Sequence, residues 1–442
     1  MTGAKTSSIM STKLLKVAER AKRQPQTKLL ALAHLVDPAT LKWAFDRLRK
    51  DAAVGVDGVT KEGYAHEIEA KLQDLHGRLK RGAYHHQPIR RVHIPKCAGK
   101  TRPIGVSTVE DKIVQTAITK VLEAIYEQDF LPCSYGFRPG RNAHDALRAL
   151  HEARRRGECN WVLEADIQNY FDSLDRNKLQ EMLRLRIADE SFMRLVGKCL
   201  HVGVLEGNEY SEPDEGTVQG SVLSPMLGNI YLHYVLDLWF ERDVRPRMRG
   251  KTCLVRYCDD FIIGFERRDD AERVMRVIAK RMAKYNLSLH PTKTRLVCHN
   301  RPLRGTTSST SSSESFDFLG FTHYWRRSRG GRWFPAEKTR KAGLRRALMG
   351  LTEWCRSHRH YSVKEQHAGL CLRLRGHYAY FGINGNSRSL RQLRWQAGRV
   401  WRKWLGRRSQ RARMTWERFN ALLEVYPLPP PKITVRIWTA TP

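Results

Sequence analysis

The most informative segment of the chain is LVRYCDDFIIGF, at residues 254–265. Two runs of β-forming residues flank a short polar corner, so the segment predicts a β-hairpin with Asp259 and Asp260 at its tip. Two adjacent carboxylates repel each other, and such a pair is chemically sensible where divalent cations neutralise it. Asp-Asp is also a common turn dipeptide, so an ordinary surface turn is the competing interpretation.

The segments around this hairpin predict a mixed architecture. Residues 161–167, WVLEADI, have β-strand character, and a helical segment follows them. Ser224 and Pro225 are typical of an N-cap and a first helical position, for a helix running to about Phe240. A further helix after the hairpin and a strand beginning at Leu296 complete the order strand, helix, hairpin, helix, strand. That order predicts an α/β (α+β) fold with a split β-α-β sheet and helices on one face.

Such a sheet can bring a third carboxylate to the hairpin tip. Asp166 stands at the C-terminal end of the first strand, and the split order can place that end beside Asp259 and Asp260. The three carboxylates then converge on two Mg²⁺ ions roughly 3.5–4 Å apart, the arrangement that supports in-line phosphoryl displacement. Mg²⁺ prefers oxygen ligands and keeps phosphate oxygens in the rest of its shell. We therefore expect a two-metal phosphoryl-transfer site.

The composition indicates a globular protein that meets a polyanion. The 442 residues are 41% hydrophobic and 28% charged, which excludes a mostly disordered chain. The net charge of +34 makes nucleic acid the leading partner and an anionic membrane surface the alternative. The apolar stretches fall far short of the roughly 18 residues that a membrane span requires. The nine scattered cysteines form no Cys-x-x-Cys pair, which fits reduced thiols. We therefore expect a cytoplasmic protein, which can associate with the nucleoid.

The excess charge is concentrated in the last third of the chain. Residues 301–442 hold 29 Lys and Arg against seven Asp and Glu, which indicates a separate basic module. Trp395, Trp401 and Trp404 are interleaved there with basic residues, a pattern suited to phosphate contacts and to stacking on unpaired RNA bases. The alternative is an amphipathic helix with core tryptophans and solvated arginines, and we expect both to hold, with tryptophans inward and cations on RNA. The expected RNA-binding residues are Arg391, Arg394, Arg399, Arg402, Lys403, Arg407 and Arg408.

Eight segments stand in a fixed order along most of residues 50–321. They are GVDGVT at 55–60, IPKCAGKTRPIGV at 94–106, SYGFRPGRNAHDAL at 134–147, EADIQNYFDSLD at 164–175, GTVQGSVLSPMLGNIYL at 216–232, RYCDDFIIGF at 256–265, HPTKT at 290–294 and FDFLGF at 316–321. This ordered set resembles the motifs of group II intron-encoded reverse transcriptases/maturases, of the bacterial type that lacks an endonuclease module, and it is far more specific than any single motif. A later segment, GHYAYFGINGN at 376–386, resembles the family's thumb/maturase region.

The resemblance implies a right-hand polymerase with fingers, palm and a helical thumb. It implies an RNA-directed DNA polymerase that uses deoxynucleoside triphosphates, an RNA template and a DNA primer, and that binds group II intron RNA to assist splicing and mobility. A domesticated reverse transcriptase in repair or phage defence and a splicing-only maturase are the alternatives. The expected divisions are an N-terminal helical extension at 1–48, fingers and palm at 49–333, a thumb/maturase RNA-binding domain at 334–426, and a tail at 427–442.

The resemblance also implies roles for individual residues of the metal site. Asp166, Asp259 and Asp260 match the family's metal-binding triad. Asp166 and Asp259 would hold both Mg²⁺ ions with help from the main-chain oxygen of Ile167, and Asp260 would be a weaker ligand.

The expected nucleotide contacts follow from the same resemblance. Phe171 matches a steric gate whose ring clashes with a ribose 2′-hydroxyl, and a core aromatic is the alternative interpretation. Lys96 and Arg102 match fingers residues that grip the triphosphate, with a solvated basic hairpin as the alternative. Gln219 matches the loop under the templating pair. Lys293 matches a palm lysine near the nascent end, and an ordinary surface lysine is the alternative.

One candidate zinc site comes from residue type alone. Cys355-x-x-His358 is followed by His367-x-x-x-Cys371. The spacing fits no common zinc finger and a helical pattern runs through it, so we expect no zinc.

Overall fold

The fold is seen in a computed structural model that describes residues 12–95, 101–207, 209–211, 215–217, 219–302, 313–328, 330–409 and 413–438. The helices are α1 (Thr12–Arg23), α2 (Pro38–Arg47), α3 (Lys61–Ala65), α4 (Ile68–Lys80), α5 (Val109–Tyr126), α6 (Ala143–Arg155), α7 (Arg176–Arg184), α8 (Glu190–Leu200), α9 (Ser224–Leu232), α10 (Arg268–Ala283), α11 (Lys341–Ser357), α12 (Val363–Phe381), α13 (Ser387–Leu405) and α14 (Trp416–Val425). The strands are β1 (Ile89–Pro95), β2 (Thr101–Val106), β3 (Trp161–Asp166), β4 (Val204–Glu206), β5 (Glu209–Ser211), β6 (Thr252–Tyr257), β7 (Asp260–Phe265), β8 (Arg295–Cys298), β9 (Phe316–Phe318), β10 (Phe321–Arg327) and β11 (Trp333–Thr339).

The central palm sheet has the split order that the sequence predicts. Its strands run β6-β7-β3-β8, and each neighbouring pair is antiparallel. Helix α10 packs on the sheet and buries Ala271 and Ile278, which belong to its apolar face. The register places Asp166 directly opposite Asp260. The predicted α/β (α+β) class and the right-hand arrangement are therefore confirmed.

A second sheet forms the fingers, in the order β2-β1-β4-β5. Its β1–β2 hairpin is an antiparallel pair, and β1 also pairs in parallel with β4. Helix α5 follows β2 and is buried along most of its length, after Thr108 caps its first turn by accepting a hydrogen bond from the Asp111 main-chain N–H. The fingers therefore rest on a helix that belongs to the main core.

Helix α9 differs from the prediction at both ends. It begins at Ser224 itself, so Ser224 lies in the first turn rather than at the N-cap, and Pro225 follows it in that turn. Beyond its last regular turn the chain stays helical through two wider π-helical turns, at His233–Asp237 and Phe240–Val244. A short 3-10 turn then ends at Arg247. The buried packing of this segment carries the helix past its predicted end.

The N-terminal helices pack into the same core as the palm. Helices α1 and α2 contact α5, and they bury Leu14 and Leu41 among palm residues. Arg186 lies inside this junction, where it donates hydrogen bonds to the Asp129 carboxylate and to main-chain carbonyls between residues 21 and 27. The same hydrophobic core contains residues on both sides of position 48. The boundary between the N-terminal extension and the fingers therefore stays a prediction about function, not about separate folding.

The thumb is a bundle of α11–α14 that follows the small β9–β10–β11 sheet. Trp401 lies at its centre with no exposed surface. The tail first contacts the thumb, where Thr434 N–H donates to the carbonyl of Gly382 just after α12. It then reaches α6, where Trp438 stacks on His151 at 6.1 Å between ring centroids. Among the helices that the structure describes, none has both the length and the apolar character to cross a membrane.

Candidate active site

The β6–β7 corner is a tightly packed turn. Cys258 adopts a left-handed backbone conformation, with φ +59°, which is uncommon for a residue with a side chain. Gly136, in the loop before α6, approaches the turn so closely that a Cβ there would lie 2.5 Å from the Cys258 nitrogen. The Tyr135 N–H donates to the Arg256 carbonyl at 2.9 Å, which ties the same loop to β6. Main-chain contacts therefore hold the two aspartates at the tip.

Arg256 supports this turn from within the core, and the sequence analysis assigned it no role. Its guanidinium group is fully buried and donates to both carboxylate oxygens of Asp237, at 2.7 and 2.6 Å. It also donates to Asn229 Oδ1 at 2.9 Å, to the Cys258 carbonyl at 3.1 Å and to Ser134 Oγ at 2.8 Å. All of its donors are therefore used. The sequence offered one indication of this role, because Arg256 is a single charged residue inside an otherwise apolar strand.

The three carboxylates form a crowded negative corner. Asp166 and Asp260 stand opposite each other in the β3–β7 register, so their side chains project to the same face. Loss of hydration and the charges of Asp259 and Asp166 raise the pKa of Asp260 to about 6, although part of its side chain faces solvent. Lys293 Nζ lies 2.5 Å from Asp166 Oδ2, and the charge of Arg340, just before α11, partly offsets the rise in the Asp260 pKa. Such a corner favours cations.

The donor set fits a hard divalent cation, because carboxylate oxygens are the ligands that Mg²⁺ prefers. The Ile167 side chain is a buried hydrocarbon, so this residue can offer a metal only its main-chain oxygen. Within the described ranges, no three His, Cys, Asp or Glu side chains surround a common metal position. Asp166 is paired with Lys293 instead. A metal ion at Asp166 would compete with this ammonium group for Oδ2.

Phe171 lies just after β3 with its ring half-buried. The ring centroid is 5.2 Å from that of Tyr170, and a Cβ on Gly228 of α9 would lie 3.3 Å from Phe171 Cε1. Its main-chain carbonyl accepts a hydrogen bond from Thr217 N–H at 2.7 Å. The ring is therefore anchored on one side and open on the other, and the steric-gate role stays a prediction.

The loop of Gln219 and Gly220 is clamped between fingers and palm. Gly105 N–H of β2 donates to the Gln219 carbonyl at 2.7 Å. Gly220 has φ +106°, and a Cβ there would lie 2.6 Å from the Gly105 carbonyl oxygen, so glycine is required. The next residue, Ser221, donates from Oγ to Oε1 of the fully buried Gln115 at 3.1 Å. Gln115 is a second positioning residue that sequence reasoning missed, because a glutamine in an apolar helix carries no local signal.

A cavity of about 270 Å³ opens between this loop and the fingers hairpin. Its walls include Arg91 of β1, Asp172 and Gln219. Partial burial raises the pKa of Asp172, and the charge of Arg91 offsets part of that rise. The cavity is therefore a polar space at the junction of fingers and palm, with Arg91 as a cation that the sequence analysis did not select.

The two predicted triphosphate contacts have different outcomes. Lys96 lies outside the described residues. Arg102 is exposed and pairs with Ile94, so it lies on the hairpin face opposite to Arg91, because successive strand residues point to alternate faces. The structure therefore does not bring Arg102 into the cavity that Gln219 lines.

The predicted RNA-binding residues of the thumb divide into two groups. Arg402 is half-buried, donates to the Met414 carbonyl at 2.8 Å, and lies 4.1 Å from the Trp416 ring centroid. Arg408 is also half-buried and donates to the Tyr361 carbonyl at 2.6 Å. These two cations therefore help to hold the bundle. The other five are exposed: Arg391, Arg394, Arg399, Lys403 and Arg407.

The expectation that three tryptophans face inward holds for Trp401 and is wrong for Trp395. Trp401 is fully buried and donates from Nε1 to Gln366 Oε1 at 3.0 Å, whereas Trp395 is 59% exposed and Trp404 is half-buried. The reason is the helical period. Trp401 is six positions after Trp395, and at roughly 100° per residue the two side chains point about 120° apart around the helix.

The four residues of the candidate zinc site serve other contacts. Cys355 is buried in the thumb core. The His358 ring lies 4.6 Å from the Trp354 ring. His367 Nε2 lies 3.1 Å from Cys371 Sγ, as a local pair on α12.

Comparison with known proteins matches residues 94–323 to a family described as Reverse transcriptase (RNA-dependent DNA polymerase). Protein YkfC of Escherichia coli is 34% identical over 289 residues, which cover 58% of this chain and 75% of YkfC. Group II intron-encoded protein LtrA of Lactococcus lactis is 37% identical over 218 residues, which cover 48% of this chain and 36% of LtrA. The uncharacterized 91 kDa protein in cob intron of Schizosaccharomyces pombe is 32% identical over 300 residues, which cover 65% of this chain and 37% of that protein. The chain thus spans most of YkfC but little more than a third of the other two relatives.

Proposed function

This chain belongs to the reverse transcriptase family of RNA-dependent DNA polymerases, and from that premise we propose that its palm corner extends a DNA primer along an RNA template. The observation that carries the proposal is the register of the palm sheet, which sets Asp166 opposite Asp260 beside the hairpin tip. The family's reaction is nucleotidyl transfer, and deoxynucleoside triphosphates are the proposed substrates.

We assign the metal ligands to Asp166, Asp259 and the main-chain oxygen of Ile167, with Asp260 as a weaker ligand. Two Mg²⁺ ions, when bound, stabilise the entering and leaving oxygens of an in-line displacement. Release of Lys293 from Asp166 frees the carboxylate and leaves an ammonium group at the corner to neutralise phosphate charge. The buried Arg256 keeps the turn in place while these charges change partners.

The residues around the corner are proposed to position the substrates. The clamp between Gly105 and Gln219 holds the Gln219 amide at the fingers–palm cavity, where it supports the templating pair. The open side of Phe171 is placed to exclude a ribose 2′-hydroxyl. Lys96 and Arg102 remain the proposed grip on the triphosphate, although Arg102 does not line that cavity.

We propose structured intron RNA as the second partner. The similarity to LtrA, a group II intron-encoded protein, supports this partner, and so do the maturase-like segment at 376–386 and the exposed cations of α13. The units at 1–48, 49–333, 334–426 and 427–442 stay the proposed functional divisions. A polymerase working in repair or phage defence is the alternative, and intron RNA sequences flanking the gene would argue against it. A splicing-only maturase fits less well, because the carboxylates and Gln219 are all present.

Primer extension tests the polymerase proposal. The purified 442-residue chain should extend a DNA primer on an RNA template in Mg²⁺. Asp259→Asn should slow extension by roughly 10³-fold or more, because an amide keeps the shape but removes a negative metal ligand. The matched control is Asp51→Asn, at an exposed aspartate outside the palm sheet, which should extend at the parental rate. If Asp259→Asn extends the primer at nearly the parental rate, the assignment of Asp259 as a metal ligand is wrong.

A splicing assay tests the second partner separately. The intron RNA whose sequences flank the gene for this chain should splice faster when the protein is present. Asp259→Asn should support splicing as well as the parent does. Absence of any effect on splicing, together with normal primer extension, would select the repair or defence alternative.

A further inference from the structure

A groove of about 420 Å³ lies between α13, α14 and the start of the tail. Its walls carry Arg391, Arg394 and Arg399, and two tryptophans, Trp395 and Trp416, that are 59% and 45% exposed. None of the described residues that line it is acidic. Exposed indoles in a concave, basic surface are not explained by core packing, so the groove is a candidate binding site.

The groove has a preformed apolar floor. Phe419 is 1% exposed, and its ring centroid lies 6.1 Å from that of Trp416 in a T-shaped arrangement. Leu428 of the tail closes one end, and its carbonyl accepts a hydrogen bond from Arg394 Nε at 3.3 Å. Gly398 contributes no side chain to the floor, although a Cβ there would lie 3.8 Å from Leu428 Cδ1, an ordinary contact. The neighbouring side chains therefore leave the groove open, but they do not require a glycine at position 398.

Two arginines hold the indoles in place. The Arg399 guanidinium lies 4.7 Å from the Trp395 ring centroid, and the Arg402 guanidinium lies 4.1 Å from that of Trp416. A cation over one face orients each ring and leaves the rest of the ring available. Rigid indoles flanked by arginines suit unpaired nucleic acid, because a base stacks on the ring while the cations neutralise its phosphates.

We propose that this groove binds one unpaired nucleotide of the RNA partner, with the base stacked on Trp395 and the adjoining phosphates paired with Arg391 and Arg399. The inference rests on the proposed function, since that function supplies the RNA. The groove has room for a single nucleotide, and a duplex cannot use the indole because its bases stay stacked on each other. The cationic walls favour this occupant over an apolar protein segment. The ligand class is therefore a bulged or looped-out nucleotide in an otherwise structured RNA.

The test uses the full chain and two RNA hairpins of equal stem length. One hairpin carries a single unpaired 2-aminopurine nucleotide, and the other is fully paired. The bulged hairpin should bind at least about tenfold more tightly, because stacking of one base on an aromatic ring increases the affinity roughly five- to hundredfold. The fluorescence of 2-aminopurine should fall on binding. Trp395→Ala should reduce the preference to about twofold or less, while Trp395→Phe should retain part of it.

Two double variants separate the groove from general charge. Arg391→Gln with Arg399→Gln removes two cations from the groove, and Lys403→Gln with Arg407→Gln removes two exposed cations elsewhere on the same segment. Both should weaken the paired hairpin equally, because each removes the same charge. Only the first should also reduce the preference for the bulge and the change in 2-aminopurine fluorescence.

Several outcomes would overturn the proposal. The first is an unchanged bulge preference in Trp395→Ala, measured at an unchanged melting temperature. The second is an equal loss of preference in both double variants. The third is a self-associating parent that Trp395→Ala converts to monomers, which would make the groove a protein interface. Primer extension by the same preparations distinguishes these failures from failure of the proposed polymerase activity.

Discussion

The palm corner and helix α13 both carry dense charge of one sign, but the chain organises that charge differently. In the palm, strand pairing sets Asp166 from β3 opposite Asp260 from β7, although 94 positions separate them in sequence. Along α13 and the turn after it, the helical period sends adjacent cations to different sides, so Arg402 packs against Met414 and Trp416 while the next residue, Lys403, is exposed. Sheet register gathers distant residues into one site, whereas a helix disperses adjacent residues among several environments.

Removal of Arg256 should produce the largest effect, because the palm corner depends on its support. Arg256→Gln leaves Asp237 buried without its full partner, so the free energy of unfolding should fall by about 3–5 kcal/mol. Primer extension should fall as well, since the Cys258 carbonyl loses its donor. Denaturant unfolding and extension rate measure both effects. Arg276→Gln, at an exposed arginine of α10, is the matched control and should change neither.

A paired substitution separates stability from positioning at the same place. Asp237→Leu together with Arg256→Met replaces a buried ion pair with apolar groups, a change that often restores stability. We expect only part of the unfolding free energy to return, because Asn229 Oδ1 and the Cys258 carbonyl stay without their donor, while extension stays slow. Full recovery of extension would show that the corner needs a packed core but no donor to Cys258.

The contrast between these regions shows what the sequence could predict. The hairpin, the split sheet and the closeness of Asp166 to the hairpin tip follow from local patterns and chain order. The side-chain partners of Arg256 do not, because they come from α9, from the π-helical turn after it and from the loop at Ser134, which lie 19 to 122 positions away along the chain. In the thumb, the helical character was predictable, but the outward direction of Trp395 depends on which face the bundle covers.

Sugar selection should show the next largest effect, still within the palm. Phe171→Ala opens space beside the open face of its ring, so discrimination against ribonucleotides should fall by up to roughly 100-fold. The measurement is the ratio of kcat/KM for deoxynucleoside and ribonucleoside triphosphates. Phe171→Tyr keeps the ring and should keep the selectivity. If Phe171→Ala discriminates as strongly as the parent, the ring is a core residue, and sheet register gathers fewer functional groups than we infer.

A buried histidine extends the comparison to the junction between the palm and the β9–β11 sheet. His299 has no exposed surface; Nδ1 donates to the Glu314 carbonyl at 2.6 Å, and Nε2 accepts from Arg154 Nε at 3.1 Å. This geometry uses the neutral ring, and burial together with the charge of Arg154 lowers the pKa of His299 to about 3. The unfolded chain takes up a proton near pH 6.5 and the folded one does not, so stability falls as the pH drops from about 6.5 towards 3.

The expected loss from this residue is about 2 kcal/mol at pH 5 relative to pH 7.5. Urea unfolding at the two pH values measures it. His299→Gln cannot titrate, so it should lose about 2 kcal/mol less than the parent on acidification. His66→Gln, at an exposed histidine, should lose as much as the parent. Equal losses in His299→Gln and the parent would place the acid sensitivity in other groups.

The smallest effects should appear within the thumb, where two neighbouring cations on one segment are expected to behave differently. Arg402→Gln removes a hydrogen bond to the Met414 carbonyl and the stacking on Trp416, so the free energy of unfolding should fall by about 1 kcal/mol. The dependence of RNA affinity on salt should stay unchanged, because this cation is engaged internally. Arg407→Gln should leave stability unchanged and lower the slope of log affinity against log salt by about 0.7–0.9. Equal slope changes in both variants would show that the segment acts as one continuous basic face, and the contrast between gathered and dispersed charge would no longer hold.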